Sequence, residues 1–260
     1  MLSPEQENII KNYYRYYKTF PLSGAVELHT GGISWIMPKK GEKGPAIAFD
    51  LKLDPQTAQR EIDGFISSIQ QGSAPRQLIV TPDAGPEDII RLLKASGFTD
   101  LGGDEPGMLL YRDDFTPRFD AAGSITCREV RSKEDFAVWI DIVNTALHGW
   151  EMIDAKRYYT WVLNGTYRFY LGEVGGVPAS TAATILNGDT ASLEFVSTLE
   201  EYRHRHAASS LCSKAIAGLF EQGARTVTLS GSADAVRLYE GLGFCGYFNN
   251  IIMRYGQAHV

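Results

Sequence analysis

Ser197–Ala208 reads STLEEYRHRHAA, a strand that runs out into a basic polar turn and then into a long helix. The strand ahead of it, Ala191–Thr198, places Glu194, Val196 and Thr198 on one face and Leu193, Phe195 and Ser197 on the other. After it, Leu211, Cys212, Ala215, Ile216, Leu219 and Phe220 recur every three or four residues, and Gly223 supplies a stop, which predicts a core-facing helix from Ala208. A helix start leaves backbone N–H groups unpaired and carries partial positive charge. Arg203 and Arg205 add two full charges, so the junction suits a bound phosphate. The same residues also suit a solvated basic turn.

Outward from this junction, strands and helices alternate. Upstream lie a strand at Thr126–Val130, a helix from Ser132 to Leu147 with Phe136, Trp139, Ile140 and Val143 on one face, and a second helix over Asp154–Leu163. A hairpin follows from Tyr167 to Leu186, turning at Gly175 and Gly176. Downstream come a strand at Thr226–Ser230, a short helix capped by Ser232 and reaching Leu242, and a last strand from Phe244 to Tyr255 that closes this half. The pattern is that of an α/β or α+β layered domain. Asp113–Gly123, DDFTPRFDAAG, is polar, contains Pro117 and has no apolar period, as an exposed connection does. The expected division is therefore a first domain over residues 1–118, a linker over 119–125 and a second domain over 126–260.

The second half has a shadow in the first. Gly85–Phe98, GPEDIIRLLKASGF, aligns with Gly231–Phe244, GSADAVRLYEGLGF, matching Gly85 with Gly231, Asp88 with Asp234, Arg91 with Arg237, Leu92 with Leu238, Gly97 with Gly243 and Phe98 with Phe244. A strand beginning at an arginine precedes each copy, at Arg76 and at Arg225, so one fold used twice is expected, the plainer alternative being a common strand, short helix and Gly-Phe turn that recurs by chance. The copies differ where chemistry would sit, because Tyr239 is matched by Leu93, which has no proton to give.

Composition narrows the partners. A chain of 260 residues, 44% hydrophobic, buries a core of ordinary size, and a net charge of −6 argues against gripping nucleic acid over the whole surface. Cys127, Cys212 and Cys245 form neither a disulfide framework nor a C-x-x-C pair and fit a reducing cytoplasm. No stretch approaches the ~20 apolar residues that cross a bilayer, and the opening residues lack a signal peptide's basic start. The expectation is a cytoplasmic protein with small-molecule partners, no nucleic acid and no membrane. His204 and His206 have no further ligands nearby, so no metal site is expected.

Glu201-Tyr202-Arg203 and the turn after them resemble the pyrophosphate-binding motif of the GNAT superfamily of acyltransferases, an apolar strand often ending T-L-P-E-Y-R, then R/Q-x-x-G-x-G/A and a helix. Leu238–Phe244, LYEGLGF, resembles the second motif of that family, and the two stand in family order over residues 126–260. The sequence departs at His206, where the family prefers its first glycine, and at His204, where glycine is frequent; Ala208 fills the permitted Gly/Ala position. Glycine reaches positive φ at little cost. A histidine there either narrows the site or adds a hydrogen bond of its own.

The resemblance implies tandem GNAT-like domains, each a mixed, mostly antiparallel sheet flanked by helices. It implies an N-acetyltransferase that moves an acetyl or short acyl group from acetyl-CoA, its co-substrate, to an amine of a small molecule or peptide. On that resemblance the cofactor is held by Val196, Ser197, Thr198 and Leu199 on the strand, by Arg203, His204, Arg205, His206, Ala207 and Ala208 at the helix start, and by Ser232. Tyr239 is then the acid for the leaving thiolate and Glu194 the base for the amine, roles their hydroxyl and carboxylate suit. A packed helix tyrosine and a solvated strand glutamate are the plainer readings of both. His148, Trp150 and Glu151 fall where the family often sets acceptor specificity. The first half, with LKLDPQTAQREI at Leu51–Ile62 ahead of its helix, lacks the basic small-residue cluster and reads as a degenerate GNAT-like domain. The rival from another class is a non-catalytic acyl-CoA-binding or interaction protein.

Overall fold

In the computed structural model, which describes residues 1–103, 105–120 and 123–256, the chain forms two compact units. One holds Met1–Gly107, Gly231–Ala233 and the chain from Tyr247; the other holds Met108–Ser230 and Asp234–Gly246.

The first unit contains α1 (Pro4–Tyr17), β1 (Val26–His29), β2 (Ser34–Pro38), β3 (Ile47–Phe49), α2 (Ala58–Gln70), β4 (Gln77–Val80), α3 (Ile89–Ala95), β5 (Phe98–Asp100) and the start of β6 (Glu105–Tyr111). Ser3 and Gln6 begin α1 with a reciprocal capping box. β3 runs parallel to β4 and its other pairings are antiparallel. Strand alternation sends Ala48 toward α2, whose Ile62, Phe65 and Ile69 build one core, and Phe49 toward the tyrosines of α1, where it stacks on Tyr17 at 5.0 Å. The aromatic run of α1 is therefore packing: Tyr13 and Tyr14 are buried, and their hydroxyls donate to Glu105 and Asp83 at 2.8 and 2.7 Å.

The second unit contains β7 (Ile125–Glu129), α4 (Lys133–Val143), the short α5 (Ala155–Tyr158) and α6 (Thr160–Leu163), β8 (Arg168–Val174), β9 (Val177–Asn187), β10 (Thr190–Thr198), α7 (Ala207–Glu221), β11 (Thr226–Ser230) and α8 (Val236–Glu240). Its strands lie in the order β11-β10-β9-β8-β7, with only β10 and β11 parallel among these pairs. Ser132 caps α4 by accepting the Asp135 N–H. α4 lays Phe136 and Trp139 on Phe169 of one sheet face, while α7 packs Leu211, Cys212, Ala215 and Leu219 on the other. Both units are mixed, mostly antiparallel sheets flanked by helices, as the sequence predicts.

Three expectations are corrected. The division does not fall at 119–125. Residues 108–118 belong to the second unit, and Ala121 and Ala122 of the expected linker lie outside the described residues. The side chains of the polar segment are mostly exposed, but its backbone is a strap, with the Arg118 and Asp120 N–H groups donating to Ser213 and Ser210 on α7 at 2.8 and 2.9 Å and the Thr116 N–H to Leu242 O at 3.0 Å. Composition reports exposure of side chains, not the destination of backbone bonds. The last strand, β12 (Cys245–Tyr255), leaves the second unit after Gly246 and pairs antiparallel with β4 and β5, burying Met253 in the first unit's core. An alternating strand carries no label for the sheet that will receive it. Finally, Ser232 does not cap α8: it is exposed, and the N-cap of α8 is Ala235, which makes no side-chain bond, after a 3-10 turn at Ala233–Ala235.

Candidate functional site

β10 organises the site. It pairs with β11 at Thr190↔Thr226, Ala191↔Val227 and Ser192↔Thr228, and with β9 along its whole length through a register slip between Glu194 and Ser197. At the slip Phe195 takes φ +51°, a β-bulge whose added residue reverses the faces of the strand. The expected alternation fails there. Leu193 and Val196 both pack toward the α7 core, whereas Phe195 stands 5.3 Å from Trp139 and 5.8 Å from Trp161 on the opposite side. The Thr181 hydroxyl pins the bulge by donating to Phe195 O at 2.8 Å and lies 2.6 Å from the Ser197 hydroxyl.

Beyond the bulge β10 stays on β9, through Ser197↔Thr181, Thr198↔Ser180 and the Leu199 N–H on Ala179 O at 2.9 Å. Main-chain groups alternate in direction along a strand. With Leu199 and Ser197 turned to β9, the backbone groups of Val196 and Thr198 face the other edge, on the β11 side, past the end of the parallel ladder. Of the four strand residues expected at the cofactor, those two present their amides there.

A 3-10 turn at Glu200–Tyr202 leads to Arg203, His204, Arg205 and His206, all exposed. Arg203 Nε donates to Thr198 O at 3.3 Å, and the Arg205 guanidinium lies 5.7 Å from the Tyr202 ring centroid. His204 and His206 take φ +60° and +61°, the left-handed backbone that glycine supplies at the matching family positions. His206 is the N-cap of α7 and gives it no side-chain bond, so the amides of the first turn, from buried Ala207 and half-buried Ala208 onward, have no side-chain cap.

Tyr239, on α8, is 5% exposed among Leu193, Cys212, Leu229 and Leu242, with its ring 5.8 Å from Phe244. Burial, and after it Cys212 and the Glu194 carboxylate, push its phenol well above the ordinary range, so it keeps its proton. Burial also pushes the Cys212 thiol up to about 12. Glu194 is half-buried on β10, near enough for its charge to act on Tyr239. The second unit thus gathers Glu194, Val196–Leu199, Arg203–Ala208 and Tyr239; Ser232 lies in the chain segment assigned to the first unit.

Two features were faint in the sequence. A π-helical turn, Asn144–His148, continues α4 and packs on β10, and Asn144 clamps the following loop, accepting from the Met152 and Ile153 N–H groups at 3.1 Å and donating to Ile153 O at 2.8 Å. A buried asparagine in an apolar helix face was its signal. His148 Nε2 is buried without a hydrogen-bond partner among the described residues, and burial pushes the imidazole down to about 4. Trp150 beside it is exposed. The second feature is the Thr181 pin, one hydroxyl within the small-residue run of β9. Among the described residues no group of three or more His, Cys, Asp or Glu is placed to hold a metal ion. No described helix is long and apolar enough to cross a membrane.

Residues 123–244 match the model of the Acetyltransferase (GNAT) family, so this segment is a GNAT domain. Solved structures agree on the fold along nearly the whole length. A GCN5-related N-acetyltransferase from Kribbella flavida superposes with a TM-score of 0.73 at 18% identity, covering 96% of this chain and 97% of that one. A tandem GNAT protein from the clavulanic acid biosynthesis pathway gives 0.62 at 13%, covering 98% and 95%. A GCN5-related N-acetyltransferase from Sphaerobacter thermophilus gives 0.62 at 14%, covering 85% and 79%. No curated protein matches the chain.

Proposed function

We propose that the second unit transfers an acetyl or other short acyl group from acyl-CoA to an amine of a small molecule or peptide, by direct attack within a ternary complex. The observation that supports the reading is the end of the β10–β11 ladder at Ser192↔Thr228 on a strand that runs on, through the basic turn Arg203–His206, into the uncapped start of α7. In this reading the loop amides and the two arginines hold the pyrophosphate. The Val196–Leu199 backbone holds the pantetheine arm, and one of its exposed N–H groups polarises the thioester carbonyl, the oxyanion-type stabilisation that is commonly the largest catalytic contribution.

The amine nitrogen forms the new N–C bond as the C–S bond breaks, giving an amide and CoA thiol. Glu194 takes the amine proton, directly or through water, and Tyr239 donates to the departing sulfur. Burial keeps this phenol protonated across the neutral range, so the proton is in place, while making it a weaker acid than a free tyrosine. The buried, unpaired His148 Nε2, on the turn that packs against β10, and the exposed Trp150 two residues on support an acceptor approaching from the α4 side.

The test is Tyr239→Phe, assayed by thiol release across amines, amino acids, polyamines and peptides. Loss of a general acid costs on the order of 10²-fold in turnover, and acetyl-CoA affinity is expected to hold within roughly threefold, a change worth well under 1.4 kcal/mol. Unchanged turnover sinks the role of Tyr239. Acetyl-CoA binding with no release from any amine would instead favour the non-catalytic binding protein.

A further inference from the structure

The first unit carries the same strand-and-bulge design, so the two units can be compared residue against residue. β3 pairs in parallel with β4 at Ala48↔Leu78, and Asp50 follows at φ +56°, as Phe195 at φ +51° follows the parallel ladder of β10. On that register Leu51, Lys52 and Leu53 stand where Val196, Ser197 and Thr198 stand in the second unit, and Gly85 is the repeat partner of Gly231.

Past the bulge the two designs diverge. In the second unit the ladder ends at Ser192↔Thr228; Gly231, which follows β11 and is assigned with Pro106 to the first unit, donates its N–H to Pro106 O at 3.2 Å. In the first unit the strands rejoin: the Gly85 N–H donates to Leu51 O at 3.0 Å and the Leu53 N–H to Gly85 O at 3.2 Å, making a parallel bridge between Lys52 and Gly85. The main-chain groups that would meet a pantetheine arm are thus spent on each other.

Side chains seal the same place. Lys52 Nζ donates to the backbone oxygen and to a carboxylate oxygen of Asp83, both at 2.5 Å, and Tyr14 and Thr81 donate to the other carboxylate oxygen at 2.7 and 2.6 Å. Burial alone would raise the Asp83 carboxyl, but these bonds outweigh it and hold the group below its usual range. The run from Asp50 to Ala58 is also shorter than that from Phe195 to Ala207 and brings no arginine. Where the second unit offers positive charge at a helix start, the first offers Asp54, and Glu61 bonded to the Thr57 hydroxyl at 2.6 Å. Carboxylates there satisfy the helix and repel a phosphate.

We infer that the cofactor cleft of the first unit is closed by its own backbone, so that the chain takes one acyl-CoA, on the second unit alone. The inference rests on the reading above for what an open cleft is. The test is hydrogen exchange on the full chain with and without about 1 mM acetyl-CoA, a concentration that registers even weak binding, alongside native mass spectrometry. The Leu53 and Gly85 amides are expected to exchange slowly without ligand and to be unchanged by it, while peptides over Val196–Ala208 gain protection and at most one equivalent binds. Fast exchange at Leu53 and Gly85, protection gained there on adding acetyl-CoA, or a second bound equivalent would overturn closure. Slow exchange at Leu53 and Gly85 with no binding anywhere upholds closure and removes the acyltransferase reading instead.

Discussion

His206 shows how a departure from a motif is resolved at the level of one residue. Its backbone sits at φ +61°, so the turn keeps a glycine's conformation without a glycine. A left-handed non-glycine residue costs roughly 1–2 kcal/mol, and glycine itself gives back about 0.5–1 kcal/mol in unfolded-chain entropy. His206→Gly should therefore change stability by less than about 1 kcal/mol, with the sign toward stabilisation, in a denaturant titration. If the imidazole takes no part in holding the pyrophosphate, acetyl-CoA affinity stays level or improves. A tenfold loss would show that His206 binds the ligand through its side chain. Here the sequence supplied the residues but not their backbone angles, since positive φ is uncommon in any non-glycine residue even though histidine is enriched there.

At the scale of elements, the repeat and the bulge behave differently as signals. The Gly-Phe turns after α3 and α8 were legible because only certain residues fit them: Gly97 and Gly243 take φ +93° and +103°. Their surroundings differ. A Cβ on Gly97 would meet the Tyr255 ring at 3.4 Å, whereas one on Gly243 would run into the Asp114 carbonyl of the strap. Backbone cannot step aside as a ring can. Gly243→Ala should cost more than Gly97→Ala, by about 1–3 kcal/mol, the usual range for overpacking, and equal losses in thermal unfolding would contradict the strap's close docking. The bulge at Phe195 was not legible: Leu193, Phe195 and Ser197 fit a regular strand by pattern, and only the third dimension shows that Phe195 completes the aromatic cluster of α4. Exposed side chains likewise hid the strap, whose fixed points are Ser210 and Ser213 on a helix read only for its apolar face.

For the whole molecule, the decisive feature is the path of β12. The chain re-enters the first unit at Tyr247, and Met253 completes a core otherwise built from residues before 107. Losing a buried methionine and its strand partners removes on the order of 2–5 kcal/mol for that side chain alone, against a typical total of 5–15 kcal/mol. Neither a 1–118 fragment nor a 126–260 fragment should fold as a monomer by circular dichroism and size exclusion, while the full chain should be well ordered. A soluble, cooperatively unfolding 1–118 fragment would contradict the shared strand. The fold class of each half was readable from alternation and repeat; the cut between them was not, because it is made in space by a strand whose sequence neighbours lie elsewhere. The measurement that bears most directly on the account is a calorimetric titration of the intact protein with acetyl-CoA, repeated on Arg203→Ala/Arg205→Ala. Saturable binding, weakened roughly tenfold or more by the double substitution, as expected when charged hydrogen bonds worth about 1.5–3 kcal/mol each are lost, is the predicted result. No binding at about 1 mM ligand, or the same affinity in both proteins, would contradict it.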